Sequence, residues 1–168
     1  MKKMFLSVIV GLMVIAGCEK QEEVKLGPEM IYEVNGMKLG CPVESINGPE
    51  KSVIGKWKLV KTTTYYQSSG TINTDLEHID LSCINIIHHF QSNGTLEISN
   101  DAIDYGDPVH FFYSPFEFKL TRLNNQMAER YTLKMGEFSY GCDIRNHGRI
   151  LIQKHPDSPS TQYFVRIK

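Results

Sequence analysis

Short stretches in which apolar and polar residues alternate recur from residue 54 to the carboxyl terminus. The clearest pair is residues 83–91 and 95–99, which a Ser92-Asn93-Gly94 turn joins. A repeat of two residues is typical of a half-buried β-strand, and no long segment keeps the repeat of about 3.6 residues that marks a helix. The chain is therefore predicted to be all-β.

Eight strands of this kind are predicted after residue 54. They are residues 56–66, 83–91, 95–99, 109–120, 129–135, 137–144, 149–154 and 161–168. Closing such a meander into a barrel removes the exposed edges of the sheet, so the predicted fold is an eight-stranded antiparallel up-and-down β-barrel. A two-sheet β-sandwich presents the same alternation and is the alternative.

The segment before the barrel is predicted to be an N-terminal hairpin or arm, residues 30–49. Asn35-Gly36 lies between two short apolar runs, and this dipeptide is the strongest two-residue hairpin signal. The hairpin is either a small flap or an arm that lies on the barrel domain. The barrel domain itself is predicted to comprise residues 50–168.

The chain begins with a predicted export signal. Two lysines precede an apolar stretch, residues 4–16, which is shorter than the roughly 20 residues of a membrane span. The quartet Ile15-Ala16-Gly17-Cys18 resembles the lipobox of bacterial lipoproteins. The resemblance implies a signal peptide, residues 1–17, that is removed so that Cys18 becomes lipidated. The alternative is an ordinary signal peptide that is cut near Ala16.

A lipidated Cys18 would make the membrane the first partner of the protein. Buried acyl chains contribute about 0.8 kcal/mol per methylene, so two or three chains hold a protein durably on a bilayer. Residues 18–29 begin with an acidic, apolar-free run and are predicted to be a flexible tether. An acidic cluster in this position resembles a signal for export to the cell surface, and a plain spacer is the alternative. The predicted location is the outer membrane, on its periplasmic or cell-surface face.

The start of the barrel domain carries a second resemblance. Gly55-Lys56-Trp57 resembles the Gly-x-Trp entry of the lipocalin fold, and residues 50–168 are similar to the lipocalin-like domains of envelope lipoproteins from anaerobic Gram-negative bacteria. In lipocalins the tryptophan closes one end of the barrel against an arginine from the last strand. The resemblance implies that Trp57 and Arg166 make this closure, with Arg149 as the substitute. Otherwise Trp57 is simply the largest core side chain.

Three cysteines remain after Cys18, namely Cys41, Cys83 and Cys142. In an oxidising compartment two of them are expected to pair and one to stay free. The sequence leaves the three pairings open. Because Cys83 opens one predicted strand and Cys142 closes another, a disulfide between these two is favoured.

The sequence offers no recognisable catalytic or metal-binding pattern. His88 and His89 are neighbours in a predicted strand, so their side chains point to opposite faces and do not readily share a metal. Neither a nucleophile elbow nor a phosphate-binding loop is present. The 18 basic and 19 acidic residues are nearly balanced, which argues against nucleic-acid binding. We expect no enzyme activity, no cofactor and no metal.

Two classes of function remain. The first is a binding module whose barrel takes a small apolar or amphipathic ligand, with His88, Phe90 and Tyr131 as candidate cavity residues. The second is a structural or interaction module that docks another envelope protein, with a barrel filled by its own side chains. The interior decides between them: a cavity of a few hundred Å³ supports a ligand. A filled axis excludes it, and the residues that would fill it are Trp57, Leu59, Ile86, Phe90, Leu96 and Tyr131.

Overall fold

The computed structural model describes residues 27–68, 71–101, 116–123, 130–155 and 160–168. Two predicted parts of the chain lie outside these ranges. The first is the signal peptide with residues 18–26 of the tether, which include Cys18, and the second is residues 109–115 of the fourth predicted strand. No helix within the described ranges has the length and apolar character needed to cross a membrane.

The described residues form eleven β-strands. They are β1 (Glu29–Val34), β2 (Met37–Ser45), β3 (Gly55–Ser68), β4 (Thr71–Asp80), β5 (Ile86–Phe90), β6 (Thr95–Asn100), β7 (Phe116–Leu123), β8 (Arg130–Met135), β9 (Phe138–Arg145), β10 (Ile150–Lys154) and β11 (Thr161–Ile167).

Strands β3 to β11 form one antiparallel sheet that closes on itself. The sheet has the order β11-β10-β9-β8-β7-β6-β5-β3-β4, and β11 also pairs with β3. This last pairing sets Arg166 opposite Trp57 and joins the end of the domain to its beginning. The predicted eight-stranded barrel is confirmed, and the sandwich is excluded because the pairing of β11 with β3 closes the single sheet.

Strand β4 is one strand more than the sequence predicted. It pairs with residues 61–68 of β3, whereas β5 pairs with residues 55–58 of the same strand. Because β11 occupies the other edge of β3, β4 and β5 follow one another along a single edge. Residues 81–85 form the break between them.

Strands β1 and β2 form a hairpin that lies on the outside of the barrel. Its turn residues Asn35 and Gly36 have φ values of 47° and 75°, the left-handed backbone that a type I′ turn requires. The inner face of the hairpin packs against outward-facing barrel side chains. The contacting residues are Ile31, Val34, Leu39 and Val43 of the hairpin and Val60, Tyr163 and Val165 of the barrel. The hairpin is thus an arm held on the barrel by an apolar cluster of its own.

Two buried cations anchor the ends of this hairpin. The Lys61 ammonium donates to the carbonyl oxygens of Val34 at 3.3 Å and Asn35 at 3.0 Å, next to the turn. Burial lowers the pKa of Lys61, and the nearby Glu33 carboxylate partly opposes this. At the other end the Arg149 guanidinium donates to Ser45 Oγ at 3.0 Å and pairs with the Glu29 carboxylate at 2.8 Å. Both cations therefore help to hold the hairpin on the barrel.

A disulfide fixes the hairpin to the barrel. Cys41 is bonded to Cys83, with an S–S distance of 2.06 Å, so the predicted Cys83–Cys142 disulfide is wrong. Cys83 lies in the exposed break between β4 and β5, beneath the hairpin, whereas Cys142 is buried among the barrel's core residues. Beside the disulfide, the Gly40 amide donates to Asp80 Oδ2 at 2.6 Å. The break in the barrel wall is thus the attachment point of the hairpin.

Candidate functional site

One end of the barrel is closed by Trp57. Its ring is fully buried, and its Nε1–H donates to the Val53 carbonyl oxygen at 2.6 Å. The Arg166 guanidinium carbon lies 4.1 Å from the centre of the ring. The predicted contact is therefore made by Arg166, while Arg149 is engaged with the hairpin instead.

Arg166 also ties together the chain segments at this closed end. Its guanidinium donates to the carbonyl oxygens of Gly148 at 2.7 Å, Ile54 at 2.6 Å and Ser52 at 2.8 Å. A fourth, longer bond reaches the Pro49 carbonyl oxygen at 3.5 Å. Burial lowers the pKa of Arg166 to about 10, so the side chain stays charged at neutral pH. Each guanidinium nitrogen already donates to the chain itself, so Arg166 acts as a structural plug.

Two glycines allow the loops of the closed end to meet. Gly148 has a φ of 75°, and a side chain there would overlap the Gly48 carbonyl group. A side chain at Gly48 would in turn overlap the Arg166 guanidinium. The Gly48 amide donates to the His147 carbonyl oxygen at 3.1 Å. This close approach was not predicted, because it joins loops that are about a hundred residues apart.

The lower half of the barrel is filled with side chains. All six residues that were expected to meet across the axis of a filled barrel belong to one core cluster: Trp57, Leu59, Ile86, Phe90, Leu96 and Tyr131. Leu151 and Phe164 join the same cluster and are fully buried. By the test stated above, this filled core excludes a ligand on the barrel axis at this level. The remaining space lies nearer the other end, which we call the upper end.

His88 lies inside this core. Its ring centre is 4.7 Å from that of Phe164 and 6.2 Å from that of Phe90. Burial lowers the pKa of His88 to about 4, so the imidazole is neutral at pH 7. Its Nδ1 atom is buried without a hydrogen-bond partner in the described part of the chain. His89 instead lies 3.8 Å from the Glu97 carboxylate, on the other face of β5.

A cavity of about 250 Å³ lies at the upper end. The turn between β8 and β9 forms one wall, and β9 runs from this turn down to the loop of Gly148 at the closed end. The described lining residues are Leu96, Ile98, Met135, Gly136, Glu137, Phe138 and Tyr140. Burial raises the pKa of Tyr140, so its hydroxyl remains neutral. His88, Phe90 and Tyr131, the residues that were proposed as cavity lining, do not line this cavity because they lie in the packed core below it.

A row of polar side chains crosses the barrel wall beside this cavity. Register pairs link Cys142 to Gln153, Gln153 to Gln162, and Gln162 to Thr62. We call these four residues the polar row. Gln153 is only 1% exposed, and neither its amide nitrogen nor its amide oxygen has a hydrogen-bond partner within the described residues. The sequence signal for this residue was its position two residues after the buried Leu151, on the same face of β10.

The polar row beside the cavity carries no charge. In the described ranges no three or more His, Cys, Asp or Glu side chains come together in a way that could hold a metal ion. Cys142 is a buried free thiol, and burial together with the neighbouring Asp143 carboxylate raises its pKa to about 12. A protonated thiol is a weak nucleophile. The region therefore offers apolar contacts and uncharged hydrogen-bonding groups.

Comparison with family models, with curated proteins and with solved structures finds no match to this chain. The interpretation of the site therefore rests on the geometry of the upper cavity, the polar row and the closed end.

Proposed function

We propose that the protein is a lipid-anchored module of the bacterial cell envelope that binds a small apolar or amphipathic molecule at the upper end of its barrel. The observation that carries this proposal is the apolar cavity of about 250 Å³ above a filled core. Its volume is just below the range of about 300 to 1,000 Å³ that is usual for sites of drug-sized ligands. The ligand is accordingly small, and it enters only the upper part of the barrel.

The walls of the cavity suit an apolar ligand. Leu96, Ile98 and Met135 provide aliphatic and thioether contacts, and Phe138 and Tyr140 provide rings. Phe138 is 40% exposed, which leaves an aromatic face at the rim. Burying apolar ligand surface contributes about 25 cal/mol per Å², so these walls favour a hydrocarbon chain over a polar one.

The anchoring part of the proposal rests on the sequence. The lipobox-like quartet before Cys18 and the acidic run after it support attachment to the outer membrane. Detergent partitioning of the unaltered chain and of Cys18→Ser tests this part. We expect the unaltered chain in the detergent phase and the variant in the aqueous phase. Recovery of both in the aqueous phase would refute the anchor.

A cavity-filling variant tests ligand binding. The full-length protein in lipid nanodiscs is titrated with N-phenylnaphthylamine, an uncharged apolar fluorophore, with empty nanodiscs as the blank. Ile98→Trp fills the cavity and should weaken binding at least about tenfold, because the bulkier ring takes the space of the probe. Ile79→Trp adds the same ring at an exposed position of β4 and should leave binding unchanged. Equal binding by both variants would refute the cavity as the site.

The filled core favours a second candidate, an interaction module without a ligand. Its docking surface would be the outer face of the hairpin, where Tyr32 is 59% and Met30 is 41% exposed. Photo-crosslinking from position 32 in intact cells tests this candidate, with exposed Thr121 on β7 as the control position. A single protein adduct at position 32 and none at 121, together with no binding of the fluorophore, would favour the interaction module.

A further inference from the structure

Gln153 is a polar residue inside the barrel, like His88, and it has two unpaired buried atoms where His88 has one. It is 1% exposed, and both ends of its amide lack a partner in the described ranges. Buried polar groups in folded proteins are almost always hydrogen-bonded, because an unpaired one carries the full cost of its desolvation. The amide presents one donor group and one acceptor to whatever enters the barrel beside it.

The position of Gln153 connects it to the upper cavity. Tyr140, which lines the cavity, lies two residues from Cys142 on the same face of β9. Cys142 is directly opposite Gln153 on β10. Two residues along a strand span about 7 Å, and neighbouring strands are about 4.8 Å apart. The backbones of Tyr140 and Gln153 are therefore about 8 Å apart. A molecule in the cavity has to extend past the described lining residues to reach the amide.

No cationic side chain that is buried in the described residues faces Gln153, so an anionic head group is not favoured there. Three cationic side chains are buried in the described part of the protein: Lys61, Arg149 and Arg166. Lys61 and Arg149 bond to the hairpin on the outer surface, and Arg166 is engaged at the closed end. His88 is neutral, and the cavity wall includes a carboxylate, that of Glu137. A carboxylate placed at Gln153 would be buried without a counter-charge, which is strongly unfavourable.

A cationic head group is not favoured at Gln153 either. Glu137 is exposed on the turn between β8 and β9, where water screens its charge. The remaining members of the polar row are a thiol, an amide and a hydroxyl, which carry no charge. A neutral group that both donates and accepts, such as a hydroxyl or a primary amide, is the complement of the Gln153 side chain.

We propose that the ligand of this barrel is a neutral amphipathic molecule whose hydroxyl or amide group binds the Gln153 side chain while its hydrocarbon part fills the cavity beside Tyr140. This inference rests on the proposed ligand-binding function and specifies the chemical class of the ligand. It distinguishes alcohols and amides from fatty acids of the same chain length.

Competition between matched head groups tests the inference on the unaltered full-length protein. In lipid nanodiscs at pH 8, octanol, octanamide, octanoate and octylammonium are each used to displace N-phenylnaphthylamine, with empty nanodiscs as the blank. Octanol and octanamide should displace the fluorophore at free concentrations at least about tenfold lower than either ion, because only the ions must bury an unpaired charge. If octanoate or octylammonium competes as well as octanol, the inference is wrong although ligand binding stands. If the fluorophore itself does not bind, the proposed function fails.

A variant identifies the contact. Gln153→Leu keeps the approximate volume of the side chain and removes its hydrogen bonds, so octanamide should bind at least about fivefold more weakly. Affinity for the fluorophore should not change. Gln91→Leu makes the same replacement in the turn at the closed end and should change neither affinity. Unchanged octanamide affinity in Gln153→Leu would overturn the inference. If Gln153→Leu does not fold, the head-group comparison on the unaltered protein still decides the question.

Discussion

Reduction of the disulfide is the perturbation whose effect follows most directly from the structure. The bond joins Cys41 to Cys83, 42 residues apart in sequence, and fixes the hairpin to the break between β4 and β5. The cross-link restricts the unfolded chain more than the folded one. For a loop of this length the chain-entropy relation gives about 4 kcal/mol of stabilisation.

The pairing is tested with three single variants: Cys41→Ala, Cys83→Ala and Cys142→Ala. Each is unfolded in urea with and without a phosphine reductant, and the fluorescence of Trp57 reports unfolding, because it is the single tryptophan of the chain. The unaltered protein should lose about 4 kcal/mol on reduction. Cys41→Ala and Cys83→Ala should not respond to the reductant.

Cys142→Ala is the matched control, because it removes a cysteine that takes no part in the bond. It should be less stable by about 1 kcal/mol, because a small cavity replaces the buried thiol. It should also lose a further 4 kcal/mol or so when reduced. The opposite pattern, in which Cys142→Ala ignores the reductant and Cys41→Ala responds, would establish the Cys83–Cys142 pairing. A response below about 1 kcal/mol in the unaltered protein would refute the loop-entropy argument itself.

Three further predictions concern the core and the closed end. His88 has a pKa of about 4 in the folded chain against an ordinary 6.5, so between these pH values only the unfolded chain takes up the proton. Acidification from pH 6.5 to 4 should therefore remove about 3 kcal/mol of stability, and His88→Phe, measured by urea unfolding across this range, should lack that loss. Arg166→Met leaves four carbonyl oxygens without their donor. It should lower the free energy of unfolding by at least about 3 kcal/mol and shift Trp57 emission to the red. A decrease below about 1 kcal/mol would contradict the structural role of Arg166 at the closed end. Gly148 and Gly36 share a φ of 75°, but a side chain at Gly36 would enter open space whereas one at Gly148 would overlap Gly48. In thermal unfolding, Gly36→Ala should therefore lower the stability by about 1 kcal/mol and Gly148→Ala by at least about 3 kcal/mol.

The barrel was predictable because its strands alternate cleanly. Leu96 faces inward on β6 beside exposed Glu97, and Leu151 and Gln153 face inward on β10 beside Lys154. The missed strand β4 lacks this signal, since Ile72, Leu76 and Ile79 are spaced by four and three residues. In the barrel β4 pairs with β3 at the end of the strand order, and residues 77–80 of β4 are exposed.

The disulfide could not be chosen from the sequence, because strand alternation does not place the irregular segments in which Cys41 and Cys83 lie. The pairing of β2 with β1 shifts register between Ile31 and Glu33, β3 carries an irregularity opposite Tyr163 and Phe164, and the wall breaks after β4. In the sequence, each of these places looks the same as an ordinary end of a strand. Cys41 lies in the first of these irregular segments and Cys83 in the last.

The site was predictable at its closed end and not at its upper end. A tryptophan at the start of the first barrel strand and an arginine near the end of the last strand suffice to propose the closure by Trp57 and Arg166. In the sequence, an inward glutamine such as Gln153 cannot be told from a solvent-exposed one, because the sequence does not reveal whether its amide has hydrogen-bond partners. The glycine contact between Gly48 and Gly148 likewise follows only from how two distant loops meet.

The contrast between the two ends of the barrel supports the proposed position of the binding site. At the closed end Arg166 has a partner for every guanidinium nitrogen, and the Trp57 nitrogen donates to Val53. Toward the upper end both amide atoms of Gln153 are buried and unpaired within the described residues. Each such atom costs on the order of 1–3 kcal/mol relative to a hydrogen-bonded one, and replacement by leucine would remove that cost. Because the packing leaves this amide without a partner, we expect the head group of a bound ligand to supply its hydrogen bonds.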